Sequence, residues 1–230
     1  MTAPDIWHVF DTLSDASIAL AKAVAAQLSD AVAQRGQALL AVPGGSTPRR
    51  FLAELGQQDL PWRSITVMPT DERLVASDDP QSNERMIRAC FAPVTNGQSH
   101  YLSFHSELLD PAMAASLISE RLAQMPVLDV LVSGMGEDGH IASLFPGDAS
   151  WRAASAAAHV VPGHPDGLVP RLSLSPMRLQ SARWSALLIA GEAKRDVLRA
   201  VLSGDQALPV RLLLDKAKPA HLFWGRDAAA

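Results

Sequence analysis

The stretch Leu128-Asp129-Val130-Leu131-Val132-Ser133-Gly134-Met135-Gly136-Glu137-Asp138-Gly139-His140 decides the fold class of this 230-residue chain. Its first six residues are mostly apolar, which is typical of a short strand buried inside a sheet. Glycine follows at once, and the loop then carries two carboxylates and a histidine. A buried strand that ends abruptly in a polar, glycine-rich loop is typical of the parallel sheets of α/β proteins.

The same pattern recurs on both sides of this stretch. Strands are predicted at 38–42, 65–68 and 184–190, and helices at 15–34, 47–55, 82–91, 111–124 and 192–202. Residues 148–170 are rich in Ala, Gly, Pro and His, and predict an irregular excursion. Strands that alternate with helices predict a mainly parallel sheet with helices on both faces. Without a repeat or a linker-like segment, residues 1–230 are interpreted as a single α/β domain.

Composition excludes several classes of function. The formal charge is −4 and basic residues are scattered, so neither a nucleic-acid partner nor a membrane-surface patch is expected. The first residues lack the basic and apolar regions of a signal peptide. No segment approaches the roughly 18 apolar residues of a membrane span, so we expect no membrane contact and a cytoplasmic location. The single cysteine excludes an internal disulfide.

Four polar loops follow predicted strands, at 44–48, 70–73, 134–140 and 191–194. Because parallel strands end at the same edge of a sheet, these loops are expected to converge on one site.

The first of these loops predicts an anion cradle. Gly44 and Gly45 let the backbone approach a ligand closely, and Ser46 and Thr47 add hydroxyls before a helix N-terminus. A phosphate suits such a loop, although no Gly-Lys-Ser/Thr of a nucleotide-binding loop follows. The alternative is a plain turn with a Ser/Thr helix cap.

The loop 134–140 matches the dinucleotide pattern G-x-G-x-x-G, but it does not predict a dinucleotide site. Pro146-Gly147 would end the required long helix too soon, and no acidic residue lies about twenty positions on. Instead, His140 beside Glu137 and Asp138 predicts a general base whose tautomer a carboxylate holds. The alternative is a histidine that only caps or packs.

Basic residues near the other loops are candidate anion ligands. Arg73 follows Asp71 at a strand end, where it could bind phosphate or stabilise an oxyanion. Lys194 lies in the first turn of a helix, where an anion would offset the unfavourable macrodipole. Arg171 precedes a short alternating segment. Each could instead be a solvated surface cation. No set of metal ligands with suitable spacing and no G-x-S-x-G nucleophile is present.

These motifs together resemble the 6-phosphogluconolactonase family. The resemblance rests on Gly44–Pro48, Asp71–Arg73 with Ser82-Asn83, Gly134–Gly147, Pro170–Leu174 and Gly191–Lys194, in that order. It covers nearly the whole chain, with departures at Val42-Pro43, where the family often has Ser, and at Ile141, where Thr is common.

That resemblance implies a Rossmann-like fold without a dinucleotide or other cofactor, acting on 6-phospho-D-glucono-1,5-lactone. It implies that His140 activates water, that Asp71 and Asp138 support it, and that Arg73, Arg171 and Lys194 bind the phosphate and the oxyanion. Which aspartate holds the imidazole stays open. The expected partner is the small phosphorylated lactone, and the expected state is a monomer or weak homodimer.

Two other functions are alternatives to lactone hydrolysis. Glucosamine-6-phosphate deaminases share this fold, but their histidine loop has a glutamate five residues after the histidine, where this chain has Phe145. They also have Asp-Glu-Tyr in place of Asp71-Glu72-Arg73. A non-catalytic sugar-phosphate sensor should carry a DNA-binding segment. The first forty residues predict only one long helix and a strand, without a helix-turn-helix.

Overall fold

The computed structural model describes residues 6–95, 97–105, 110–148, 150–153, 158–161, 169–204, 208–215, 217 and 219–227. The strands in this part of the chain are β1 Trp7–Phe10, β2 Ala38–Val42, β3 Ile65–Pro69, β4 Asp71–Arg73, β5 His100–Tyr101, β6 Val130–Ser133, β7 Ala158–Val161, β8 Arg171–Leu174, β9 Trp184–Ala190 and β10 His221–Gly225. The α-helices are α1 Leu13–Arg35, α2 Arg49–Gly56, α3 Asn83–Thr95, α4 Pro111–Ala123, α5 Pro176–Gln180, α6 Glu192–Ser203 and α7 Arg211–Leu214.

Seven of these strands form one central sheet in the order β1-β10-β9-β6-β2-β3-β5, and every neighbouring pair is parallel. Side chains along β2 alternate between two apolar cores. Leu39 and Ala41 enter one core with α4 and α6, whereas Leu40 and Val42 enter the other with α1, α2 and α3. The predicted parallel sheet with helices on both faces is therefore confirmed.

A second, three-stranded antiparallel sheet was not predicted. It has the order β4-β8-β7, with Asp71 opposite Ser173 and Arg73 opposite Arg171. The prediction of an irregular excursion over 148–170 is wrong at β7, and the prediction of a loop at 70–73 is wrong at β4. Asp71-Glu72-Arg73 has no β-branched or aromatic residue, so pairing with β8 rather than local preference makes β4 a strand. Strand β1, at the edge of the large sheet, was also missed.

Helix α1 contradicts one expectation from composition. It is 23 residues long and, by length and apolar composition alone, could cross a membrane. Its side chains Leu20, Val24 and Leu28 are fully buried, however, in the core shared with α2 and the sheet. The apolar face of this helix is therefore used in packing. It is the only helix among residues 6–42, so the described part of the N-terminal region holds no helix-turn-helix.

Candidate active site

A cavity of about 280 Å³ opens at the carboxyl edge of the large sheet, where all four predicted loops meet. Nine of the ten residues singled out from the sequence line this cavity: Gly44, Gly45, Ser46, Thr47, Asp71, Arg73, His140, Arg171 and Lys194. The tenth, Asp138, contacts His140. The edge of a parallel sheet thus brings together residues that lie up to 150 positions apart in the sequence, as expected for loops that follow parallel strands.

Asp138 holds the imidazole of His140. Its Oδ1 lies 2.6 Å from Nδ1 of His140 and also accepts the His140 backbone N–H at 3.1 Å. Because a carboxylate only accepts hydrogen bonds, this contact assigns the proton to Nδ1 and leaves Nε2 as the basic nitrogen. The side chain of Asp138 is 51% exposed and that of His140 is 31% exposed, so water can reach the pair.

Gly136 makes this close contact possible. A Cβ at that position would overlap both the imidazole of His140 and the carboxylate of Asp138. The backbone closes around the pair, since the Gly136 N–H donates to the His140 carbonyl at 3.0 Å. After His140 the chain forms turns and a short 3₁₀ helix, Ser150–Ala153, rather than the long helix of a dinucleotide site. Gly136 therefore makes room for the histidine rather than for a dinucleotide.

Asp71 does not support His140 directly, which corrects the role expected for it. Its Oδ2 accepts the Ser143 hydroxyl at 2.5 Å, and its Oδ1 accepts the Thr70 hydroxyl at 3.1 Å. The nearest guanidinium nitrogen, Nη1 of Arg171, is 3.9 Å away. The Asp71 carboxylate on strand β4 therefore lies near Ser143 and Arg171 rather than at the imidazole.

Asn83 lines the cavity, although the sequence predicted no role for it in the site. Its Oδ1 accepts Arg73 Nη1 at 2.6 Å, and its Nδ2 donates to the Asp71 carbonyl at 2.7 Å. The helix cap is Ser82, whose hydroxyl accepts the Arg85 N–H at 3.1 Å. A Cβ at Gly44 would overlap the Asn83 amide, so the glycine loop and the arginine meet at this side chain.

Sequence reasoning also missed Glu72, which holds β4 and the start of α3 together beside the cavity. Its buried carboxylate accepts backbone N–H groups of Arg73 and Asn83 at 2.8 Å each, and of Glu84 at 2.6 Å. Burial raises the pKa of Glu72, and the three N–H donors oppose that shift. Because its lone pairs are taken by the backbone, this carboxylate anchors β4 to the N-terminus of α3. No signal in the sequence distinguishes it from its neighbour Asp71.

Two arginines enter the cavity side by side. Arg73 and Arg171 are register partners across β4 and β8, and the buried Nε of each has no hydrogen-bond partner among the described residues. Burial lowers the pKa of Arg171; Asp71 opposes this shift, and Arg73 adds to it. Both arginines line the cavity, and guanidinium groups in such a position are suited to binding an anion.

Lys194, in the first turn of α6, adds a third cation to the lining of the cavity. The start of this helix is fixed because the Trp224 indole N–H donates to the Gly191 carbonyl at 2.9 Å, and the Gly191 N–H donates to Gly225 at 3.0 Å. The cavity therefore combines a helix N-terminus, a glycine loop and three cations, an arrangement that binds anions.

Phe145 lies between the base and one of the cations. Its ring centroid is 4.8 Å from that of His140 and 5.5 Å from Cζ of Arg171. The residue that packs against the histidine is thus an apolar ring, which cannot take part in proton transfer as a glutamate could. Among the described residues, no group of three or more His, Cys, Asp or Glu side chains could hold a metal ion.

Comparisons with known proteins agree with this geometry. The model of the family "Glucosamine-6-phosphate isomerases/6-phosphogluconolactonase" matches residues 11–224. A 6-phosphogluconolactonase of Rhizobium meliloti is 36% identical, over 94% of this chain and 97% of the relative. That of Mesorhizobium japonicum is 35% identical, over 95% and 94%.

Among solved structures, a 6-phosphogluconolactonase from Shewanella baltica matches with a TM-score of 0.90 and 30% identity, over 98% of this chain and 99% of that one. A monomeric glucosamine-6-phosphate deaminase matches with a TM-score of 0.80 at 20% identity, over 95% of this chain and 96% of that one, a likeness of fold alone.

Proposed function

The chain belongs to the glucosamine-6-phosphate isomerase/6-phosphogluconolactonase family, and we propose that His140 is the base with which it hydrolyses 6-phospho-D-glucono-1,5-lactone. It is an enzyme of the 6-phosphogluconolactonase type, which forms 6-phospho-D-gluconate in the oxidative pentose phosphate pathway. One observation carries the site assignment. The His140–Asp138 pair and three cations share one cavity of about 280 Å³ with the glycine loop.

The proposed reaction begins with a water molecule attacking the lactone carbonyl. Nε2 of His140 takes a proton from that water, and Asp138 stabilises the resulting imidazolium through Nδ1. The carbonyl oxygen becomes an oxyanion, which Arg73 or Arg171 stabilises by fixed charge. When the oxyanion collapses, the bond from the carbonyl carbon to the ring oxygen breaks, and the imidazolium returns its proton to that oxygen. The new carboxylic acid then ionises and releases one proton.

The phosphate of the substrate is the proposed anchor. Gly44, Gly45, Ser46 and Thr47 supply backbone N–H groups and hydroxyls, and Lys194 lines the same cavity. An anchored phosphate fixes the distance between the carbonyl and the base, so that binding energy becomes orientation. A lactone is an activated ester, so this mechanism uses no cofactor and no metal.

Replacing His140 by Ala tests the base. The value of kcat is expected to fall by about 10²–10⁴, the usual contribution of a general base, whereas the affinity for 6-phosphogluconate should stay close to that of the wild type. His100, an exposed histidine on β5, offers a matched control, and His100→Ala should leave kcat unchanged. Activity of His140→Ala within a few-fold of wild type would rule out the assignment.

Lys194→Ala tests the phosphate anchor. A residue that binds the substrate and the transition state equally raises KM and leaves kcat unchanged when it is removed. We expect that result for Lys194. A loss confined to kcat would instead place this ammonium at the oxyanion.

Deaminase activity is the competing proposal, because a deaminase shares the fold. Phe145 speaks against it, since the residue packed on His140 cannot transfer a proton. Ammonia release from glucosamine 6-phosphate at a rate comparable to lactone hydrolysis would overturn our choice.

We further propose a single-domain, cytoplasmic enzyme that works as a monomer or weak homodimer, with no nucleic-acid or membrane partner. Pairing of β1 with β10 joins both ends of the described chain in one sheet, which supports one domain. The buried apolar face of α1 supports the absence of a membrane span. The proposed phosphorylated lactone substrate supports the cytoplasmic location.

A further inference from the structure

Ser143 lies three residues after the proposed base, fully buried behind the wall of the cavity. Its hydroxyl donates to Oδ2 of Asp71 at 2.5 Å, and the same oxygen lies 3.5 Å from Nη1 of Arg171 as an acceptor. Its backbone N–H donates to the Ser173 hydroxyl on β8 at 3.2 Å. Ser143 therefore contacts both strands that carry the charged side chains of the cavity.

The carboxylate and the guanidinium that flank this hydroxyl are not directly bonded. Nη1 of Arg171 is 3.9 Å from Oδ2 of Asp71, whereas a direct bond between such charges measures about 2.7–2.9 Å. Asp71 is 6% exposed, so few water molecules can supply a donor in place of Ser143. The Ser143 hydroxyl therefore donates to the oxygen of Asp71 to which Arg171 would otherwise donate.

We propose that Ser143 is a positioning residue that keeps Asp71 from capturing Arg171. With Asp71 satisfied by the hydroxyl, Arg171 stays among the residues that line the cavity, where its guanidinium can donate to an anion. Asp71 still contributes its charge, which opposes the lowering of the Arg171 pKa by burial. The identity of the anion, a phosphorylated lactone or its open-chain acid, rests on the function proposed above.

Removing the Ser143 hydroxyl should let Arg171 bind Asp71 directly. In Ser143→Ala, the only described side chain left to donate to Oδ2 of Asp71 is Arg171, and a long, flexible arginine can close a gap of about 1 Å. We expect the affinity for 6-phosphogluconate, measured by titration calorimetry, to fall about 10-fold or more, the equivalent of one charge-assisted hydrogen bond. Ser143→Cys, which fills the volume with a weak donor, should act in the same direction.

Ser17→Ala is the matched control. Ser17 is a fully buried serine on α1 whose hydroxyl has no hydrogen-bond partner among the described residues. This control should leave the affinity for 6-phosphogluconate unchanged. It accounts for the general effect of removing a buried hydroxyl.

A double-mutant cycle with Asp71→Asn separates positioning from a merely structural role. In wild type, Asp71→Asn should give no gain in affinity for 6-phosphogluconate, because Ser143 already occupies Oδ2 and no captured guanidinium is released. In the Ser143→Ala background, the same change should recover most of the lost affinity, because an amide no longer captures the guanidinium. Equal effects of Asp71→Asn in both backgrounds would overturn the proposal.

A crystal structure of Ser143→Ala gives the most direct answer. The distance from Asp71 Oδ2 to Arg171 Nη1 should fall from 3.9 Å to about 2.8 Å, and an unchanged distance would also overturn the proposal. Binding and structure require no turnover. Wild-type protein that fails to hydrolyse the lactone would therefore refute the proposed function while leaving this test intact.

Discussion

Asp138→Asn probes the contact on which the proposed mechanism depends most. The substitution keeps the shape of the side chain but allows an amide N–H to donate to Nδ1 of His140. The imidazole then carries its proton on Nε2, the nitrogen that should accept a proton from water. The closest comparison is Asp138→Ala, which removes the partner without favouring either tautomer.

The structure sets the size of the expected effect. A hydrogen bond to a charged group contributes about 1.5–3 kcal/mol, and the 2.6 Å contact qualifies in length. Because Asp138 is 51% exposed and water competes for it, we take the lower end. About 1.4 kcal/mol corresponds to a 10-fold fall in kcat for Asp138→Ala. Asp138→Asn should lose about 100-fold, because it also stabilises the unproductive tautomer.

The assay follows the proton released when the acid product ionises, by pH-stat titration with spontaneous lactone hydrolysis subtracted. Glu137→Gln is the control, since it removes an exposed carboxylate from the adjacent position of the same loop. It should retain wild-type kcat. A loss smaller for Asp138→Asn than for Asp138→Ala would show that the tautomer of His140 does not limit the reaction, and the reasoning above would fail.

Three further predictions concern other parts of the molecule. Gly136→Ala should lower kcat by about 100-fold, because its Cβ would displace the imidazole of His140 by an ångström or more; steady-state kinetics that match wild type would contradict the close contact. Glu72→Gln should lower the free energy of unfolding by about 2–3 kcal/mol, because an amide NH₂ would face buried backbone N–H donors; a loss below about 0.5 kcal/mol in urea denaturation would show that the carboxylate is dispensable. Burial, with a contribution from His8, lowers the pKa of His221 below its ordinary 6.5, so folding favours the neutral ring and stability should fall as the pH drops from 6.5 through the folded-state pKa. His221→Phe should flatten that fall between pH 7 and pH 5, and identical slopes in the two proteins would contradict it.

Local pattern was sufficient to predict four neighbouring strands of the central sheet, β9, β6, β2 and β3. Each short apolar run that ends in glycine or proline became a strand, because burial on both faces requires such runs. The convergence of the four loops followed without knowledge of strand order, since parallel strands end at one edge. Errors remained at element ends, for example where α3 continues to Thr95 beyond the predicted residue 91.

The second sheet could not be predicted in this way. Asp71-Glu72-Arg73 is entirely polar, and it is a strand only because β8 lies beside it in the folded chain. The three acidic residues of the site illustrate the same limit. The sequence leaves Asp71 and Asp138 as equivalent candidates for holding the histidine and assigns Glu72 no role.

The sequence by itself determined the α/β fold, the edge of the sheet at which the site lies and the residues that gather there. Tertiary structure alone decided their partners: Asp138 binds His140, Glu72 binds the backbone, and Asp71 binds Ser143, 72 residues away. The physical reason is that periodicity and turn chemistry act over a few residues. A hydrogen bond depends on angles and on tenths of an ångström, and these are set only when both sheets and their helices have packed.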